Sequence, residues 1–209
     1  MNVNKISENV ISRLPKYYRY LQELDSKKMT RVSSKTISEA LNITASQVRQ
    51  DLSNFGGFGQ QGYGYDTDYL KARIREILGL TNYHNAIIIG GGRIGQALAN
   101  YKGFAYENVY VRAVFDIDVT KVAKIDGVEV YDMLKLDDYV KNNKVDIAII
   151  SVQKEQALLV AEKVVSLGVK AIWNFAPIDL NFGNRAVCEN INMSESLMRL
   201  IYKSKKIDN

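Results

Sequence analysis

The chain has 209 residues, 46% of them hydrophobic and 24% charged, the balance of an ordinary globular protein able to bury one or two cores. A single cysteine, Cys188, excludes an intrachain disulfide framework; no apolar run would span a bilayer or act as a signal peptide, so a cytoplasmic protein without membrane association is expected. The net charge of +5 is uneven: residues 1–80 hold 12 Lys+Arg against 8 Asp+Glu, the remainder 16 against 15, so the basic excess that suits phosphate lies in the N-terminal segment.

Residues 12–25 carry a helical stripe of Leu14, Tyr17 or Tyr18, Leu21 and Leu24, with Arg13, Lys16 and Arg19 off it and Pro15 in the first turn. Ser33-Ser34 caps a second short helix whose apolar face is Ile37, Ala40 and Leu41. A turn over 41–43 follows. Thr44 and Gln47 have capping-box spacing and open a third helix, which packs Val48, Leu52 and Phe55 on one side. Its other side presents Ser46, Gln47, Arg49, Gln50 and Asn54, side chains that reach phosphates and base edges. Short helix, tight turn and polar-faced helix is the helix-turn-helix arrangement. Taken alone, it equally fits a small helical bundle with a solvated face.

The next stretch, 55–65, alternates aromatics with glycines and holds no carboxylate. It reads as a hairpin, hence a wing, with Gln60, Gln61 and Tyr63 as further candidate DNA contacts. A connecting helix over 66–78 ends at Gly79, and the domain boundary is expected between Gly79 and Asn85.

Ile87-Ile88-Ile89 then reads as a strand buried on both faces. Gly90, Gly92 and Gly95 follow at G-x-G-x-x-G spacing, and 96–101 opens a helix. In that context Gly90 allows the turn, Gly92 the approach of a pyrophosphate and Gly95 close helix–sheet packing, with the helix N-terminus facing the phosphates. A second strand, 109–115, ends in Asp116, about 20 residues beyond the last glycine, where a ribose-binding carboxylate belongs and would favour NAD over NADP. Strands at 128–130, 145–152 and 171–174 alternate with helices at 136–142 and 154–167. The pattern predicts an α/β chain: a winged-helix domain, then a doubly wound parallel Rossmann sheet. An amphipathic helix at 194–203 comes after the sheet is complete and needs a partner for Leu197, Leu200 and Ile201, such as a second subunit.

Catalytic groups and metal-ligand spacings are not evident. His84, the only histidine, precedes the first strand and so lies at the sheet end opposite the crevice. Tyr131 to Lys135 has Y-x-x-x-K spacing but falls too early for a short-chain dehydrogenase, and Tyr202 to Lys206 repeats it on the tail. Cys188 reads as a packed thiol rather than a nucleophile. A cofactor that is sensed rather than consumed fits better than an NAD-dependent dehydrogenase, and the chain is not expected to be an enzyme.

Four features in this order resemble the Rex family of bacterial redox-sensing repressors: Arg13 to Arg19, Ala45 to Leu52 with Phe58 to Tyr65, Gly90 to Ala97, and Trp173 to Pro177. The resemblance implies a homodimer that binds palindromic double-stranded operator DNA. NADH would release the DNA and NAD⁺ would permit binding, at genes of fermentation, respiration or NADH reoxidation. It implies domains at 1–80 (winged helix), 81–190 (NAD(H)-binding) and 191–209 (an exchanged dimerisation helix and tail). It places Gly90, Gly91, Gly92, Arg93, Ile94 and Gly95 at the pyrophosphate and Asp116 at the ribose. Tyr101, Asn174, Phe175, Ala176 and Pro177 fall toward the nicotinamide. Arg13, Tyr101 and Asn192 form the switch, with Arg13 tying the DNA-binding domain to the partner subunit. The sequence departs from the pattern at Asn192, where many relatives have an acid, and at Val152-Gln153, which lacks a common proline.

Overall fold

A computed structural model describes residues 7–53, 59–60, 63–122, 125, 127–205 and 207. Asn54 and Gln61 therefore lie outside the described residues, as do 55–58, and Gln60 is described for its backbone only. Two units follow one another, Met1–Asn82 and Tyr83–Asn209.

The first unit opens with α1 (Glu8–Ile11), a turn the sequence did not announce, and α2 (Leu14–Ser26). The expected stripe is the core: Leu14, Tyr17, Tyr18, Leu21 and Leu24 are all buried. In α3 (Ser34–Leu41) the Ser33 side chain accepts from the Thr36 N–H at 3.0 Å, and Asn42, left-handed at φ +52°, stops the helix. Thr44 Oγ1 accepts from the Gln47 N–H at 3.1 Å to start α4 (Ala45–Ser53), which turns Val48 and Leu52 into the core. The hairpin expected after α4 is seen in β2 (Gly59–Gln60) and β3 (Gly64–Asp66). Its third strand, β1 (Arg31–Val32), was not foreseen; the sheet order is β1-β3-β2, antiparallel. Gly64 serves that sheet twice. Its φ is +70°, and a Cβ there would stand 2.6 Å from the Val32 carbonyl oxygen. Asp66 caps α5 (Thr67–Ile77), whose Leu70 and Ile74 close the core.

The second unit holds the strands β4 (His84–Ile89), β5 (Val109–Asp116), β6 (Glu129–Asp132), β7 (Ile147–Ile150), β8 (Ala171–Asn174) and β9 (Val187–Asn190). They form a six-stranded parallel sheet in the order β6-β5-β4-β7-β8-β9. Three helices join them: α6 (Arg93–Ala99), α7 (Leu136–Asn142) and α8 (Lys154–Ser166). Alternate residues of central β4 feed two cores: Ile87 and Ile89 pack with α7 and α8 residues, Ala86 and Ile88 on the opposite face. Each buried isoleucine contributes about 2–3 kcal/mol of burial. The strand order reverses between β4 and β7, the switch point where crevices open at the strands' carboxyl ends. Strand β9 was not read from the sequence. It contains Cys188, half-buried beside the core, with a thiol pushed up by burial, the packed role expected of it. Last comes α9 (Met193–Ser204), none of whose residues is buried. Among the described residues no helix is long and apolar enough to cross a membrane, and no three acidic, histidine or cysteine side chains cluster as a metal site.

Candidate cofactor and nucleic-acid sites

Strand β4 ends at Ile89 and the chain turns at Gly90, whose φ is +99° and whose N–H donates to the Phe115 carbonyl at 2.8 Å. The four loop glycines answer to different neighbours. A Cβ on Gly90 would stand 2.6 Å from the Ser151 carbonyl oxygen, on Gly91 2.4 Å from Val122, and on Gly95 2.0 Å from the Gly90 carbonyl oxygen. A Cβ on Gly92 would meet no described atom within 4 Å. Backbone packing therefore demands glycine at 90 and 95, and at 91 the Val122 side chain would have to shift, whereas at 92 only a group from outside the chain would demand it. Gly92 is the N-cap of α6 and makes no side-chain cap hydrogen bond, so the opening at Gly92 lies beside the start of that helix, where an anionic group could be held. Arg93 and Ile94 are exposed on that first turn.

Asp116 terminates β5 against the loop. Its Oδ2 accepts from the Gly91 N–H at 2.6 Å and its Oδ1 from the Asp118 N–H at 2.9 Å. The carboxylate is thus fixed beside the glycines with lone pairs left for ribose hydroxyls. Gln96 Nε2 donates to the Gly91 carbonyl at 2.6 Å, and Ser151 Oγ to the Gly90 carbonyl at 2.8 Å. These two braces were not anticipated.

Tyr101 stands just after α6, more than half exposed. It meets Phe104 edge-on at 4.9 Å; Phe104 meets Trp173 at 5.7 Å, and Trp173 meets Phe175 at 4.7 Å. An aromatic row thus joins Tyr101 to the segment after β8. Gly103 makes room for it, since a Cβ there would lie 2.4 Å from the Tyr101 ring. In that segment Asn174 is fully buried. Its Oδ1 accepts from the Ala176 N–H at 3.0 Å, and its Nδ2 donates to the Ile178 carbonyl at 2.6 Å and to Asn190 Oδ1 at 2.8 Å. Asn174 therefore shapes the segment from within. Phe175 is half-buried, Ala176 buried and Pro177 exposed. Gln153 sits at the N-cap of α8 without a side-chain cap bond. Asn192 is the N-cap of α9, its Oδ1 accepting from Ser194 and Glu195 N–H at 3.1 and 3.3 Å. The dehydrogenase-like Tyr131 rings Phe115 and Tyr139 instead, with Lys135 over its face at 5.9 Å.

In the first unit, Ser46, Arg49 and Gln50 lie exposed on α4, Arg49 donating to Ser34 Oγ at 3.3 Å. Gln47 is turned aside. Its Nε2 donates at 2.7 Å to Asp51, a fully buried carboxylate on the same helix. Asp51 also takes both arms of the Arg13 guanidinium, at 2.6 and 2.7 Å, and the Tyr17 hydroxyl at 2.7 Å. Burial alone would push the Asp51 carboxyl up, but the bonds from Arg13, Tyr17 and Gln47 outweigh it and hold it below the usual carboxylate range. Burial and the same carboxylate push the Tyr17 hydroxyl far up. Arg13, for which a tie to a partner subunit is expected, is paired here with Asp51, its side chain still about one quarter exposed. Tyr63 is largely exposed on the wing, with the Arg31 guanidinium 5.9 Å above its ring and bonded to its carbonyl. Arg31 and Asp51 escaped the sequence reading. The second had a signal, an acid four residues after Gln47 on a helix otherwise basic and neutral.

Residues 5–53 match a family model described as putative DNA-binding protein N-terminus, and residues 81–178 one described as CoA binding domain. The redox-sensing transcriptional repressor Rex of Clostridioides difficile is 47% identical over 202 residues, covering 96% of each chain. The Rex of Thermoanaerobacter pseudethanolicus is 46% identical, over 95% of this chain and 89% of its own. Among solved structures, RSP in complex with β-NAD⁺ and operator DNA superposes with a TM-score of 0.90 at 45% identity, over 97% of this chain and 94% of its own. RSP in complex with β-NADH gives 0.89 at 41%, over 98% and 96%.

Proposed function

The chain belongs to the Rex family of redox-sensing transcriptional repressors, and from that premise we propose that it binds double-stranded operator DNA as a cytoplasmic homodimer and lets go when NADH binds. It is a repressor rather than an enzyme, in keeping with the names of its relatives. The supporting observation is a single chain that joins an exposed polar face on a helix-turn-helix to a glycine loop opened at Gly92 for a diphosphate. RSP, its near structural neighbour, is known with operator DNA, NAD⁺ and NADH.

In this reading residues 1–80 form the winged-helix domain, with Ser46, Arg49, Gln50 and Tyr63 at the DNA, joined by Asn54, Gln60 and Gln61. Gln47 reaches DNA only if it leaves Asp51. Residues 81–190 hold NAD(H): the glycine loop with Arg93 and Ile94 at the pyrophosphate, Asp116 at the ribose, and Tyr101 with 174–177 at the nicotinamide. Residues 191–209 form the dimer helix and tail. The exposed Leu197, Leu200 and Ile201 of α9 support that assignment, since a second copy would bury them. Repressed genes would serve fermentation, respiration or NADH reoxidation. NADH acts only if it binds the DNA-released arrangement better than the DNA-bound one, because equal affinity shifts nothing. The switch includes Arg13, Tyr101 and Asn192, with Asp51 competing for Arg13.

The test is selection from random duplexes at one salt concentration, with no cofactor, with NAD⁺ and with NADH, since phosphate contacts make affinity steeply salt-dependent. A palindrome released by NADH and kept with NAD⁺ is the expected outcome. Specific binding indifferent to NADH overturns the redox switch, and no specific binding overturns the repressor reading.

A further inference from the structure

The last rung of the β8–β9 ladder pairs Asn174 with Asn190, and the Ile191 N–H closes onto the Asn174 carbonyl at 2.8 Å. From this rung the chain leaves in two directions. After Asn174 it runs along the sheet's carboxyl edge through Phe175, Ala176 and Pro177. After Asn190 it needs only Ile191 and the cap Asn192 to enter α9.

The Asn190 side chain fastens both. Its Oδ1 accepts from Asn174 Nδ2 at 2.8 Å and from the Leu180 N–H at 3.0 Å, and its Nδ2 donates to the Leu180 carbonyl at 3.0 Å. The segment 174–180 is thereby closed at both ends by one amide, while Asn174 sets its interior through Ala176 and Ile178. Asn174, Ala176 and Leu180 are buried and Asn190 is half-buried, so a bond broken here leaves its Asn174 and Leu180 partners in a poorly hydrated place. A buried amide or carbonyl left without its partner is costly, which couples the two strands' ends. A displacement of Phe175 to Pro177 is therefore cheaper if it carries Asn190 along than if it tears away. Asn190 stands two residues before the α9 cap.

We infer that Asn190 is a positioning residue that transmits the state of the cofactor-facing segment 174–180 to the root of α9. The inference rests on the proposed function for the ligand, and deepens it by naming the joint between ligand and dimer helix. Asn190 touches neither cofactor nor DNA in this scheme; it acts through Asn174, Leu180 and the two residues that lead into α9.

The experiment uses the full chain and Asn190→Ala, with Asn190→Asp as the conservative variant that keeps the acceptor for Asn174 and Leu180. Operator affinity is measured with and without saturating NADH, beside direct NADH titration. Asn190→Ala should reduce the NADH effect on operator affinity at least about fivefold while NADH affinity itself moves less than about threefold, and Asn190→Asp should restore part of the effect. An unchanged NADH effect in Asn190→Ala overturns the inference. So does a large loss of NADH affinity with the effect intact at saturation, which would make Asn190 a pocket-shaping residue only. Hydrogen exchange in the unaltered chain needs no variant: NADH should alter exchange at Leu180 and at Ser194 and Glu195 together, and change at Leu180 alone overturns the joint. If operator binding of the unaltered chain ignores NADH, the redox switch fails, and the exchange result still decides Asn190.

Discussion

At the residue scale, Gly92 and Gly95 look equivalent in the motif and differ in what surrounds them. Gly95→Ala would drive a Cβ to 2.0 Å from the Gly90 carbonyl oxygen and should destabilise the second unit by about 1–3 kcal/mol. Gly92→Ala meets open space and should cost under about 1 kcal/mol as a poorer cap, yet weaken NADH about tenfold or more by occupying the diphosphate's place. Thermal melting and NADH titration on both variants separate the two effects. Asp51 supports a second prediction. Its carboxyl is held below the ordinary value, so its stabilisation is fully present above the unfolded value, about 4, and is lost as pH falls through the lower folded value. Asp51→Asn should lower stability at pH 7 by about 2 kcal/mol, tempered by the partial exposure of Arg13. It should also flatten the acid limb of the melting profile below about pH 4. Melting temperatures between pH 7 and 3 for both proteins check this, and parallel acid limbs would remove Asp51 from the account.

At the scale of elements, what was legible in the sequence was what period and spacing encode. The α2 stripe, the Thr44–Gln47 start of α4 and the triple isoleucine of β4 all stand where the sequence puts them. The strands that escaped are short and carry no clean alternation: β1 has two residues, and β9 is Val-Cys-Glu-Asn, recognisable only once a neighbouring strand offers its edge. The same holds within the sites. The glycines and Asp116 are readable because their spacing is fixed by one loop, whereas Asp51 with Arg13, and Asn190 with Asn174, meet across 38 and 16 residues. Asn192, read as a variant switch position, gains a local task as the cap of α9. Asn192→Ala should cost α9 about 1 kcal/mol, visible as faster hydrogen exchange at Ser194 and Glu195, and Asn192→Asp should preserve it. On the wing, Gly64→Ala meets both a φ of +70° and the Val32 carbonyl. It should weaken operator binding while leaving NADH affinity unchanged; equal loss of both would show a disturbance reaching beyond the wing.

At the scale of the whole molecule, the two units must exchange free energy for the repressor to sense anything. Binding linkage makes that exchange reciprocal: if NADH weakens operator binding by some factor, operator DNA must weaken NADH binding by the same factor. A typical coupling of about 1–3 kcal/mol corresponds to about 5–150-fold on each side. The exposed apolar face of α9 gives that coupling a structural route, since a helix covered by a second copy would make the arrangement of two DNA-binding units depend on both cofactor sites. Removing 193–209 should therefore leave NADH binding to the glycine loop within about threefold, yield a monomer by light scattering, and abolish the reciprocity rather than merely reduce affinity. Titrating operator into the full-length chain with and without NADH, and NADH into it with and without operator, measures the factor from both sides, and the same titrations on the truncated chain measure what remains. A factor of about fivefold or more, equal on both sides as linkage requires, is expected for the full-length chain and none for the truncated one. A full-length factor near one would mean that the two sites are not coupled, and a truncated dimer that still responds would move the joint away from α9.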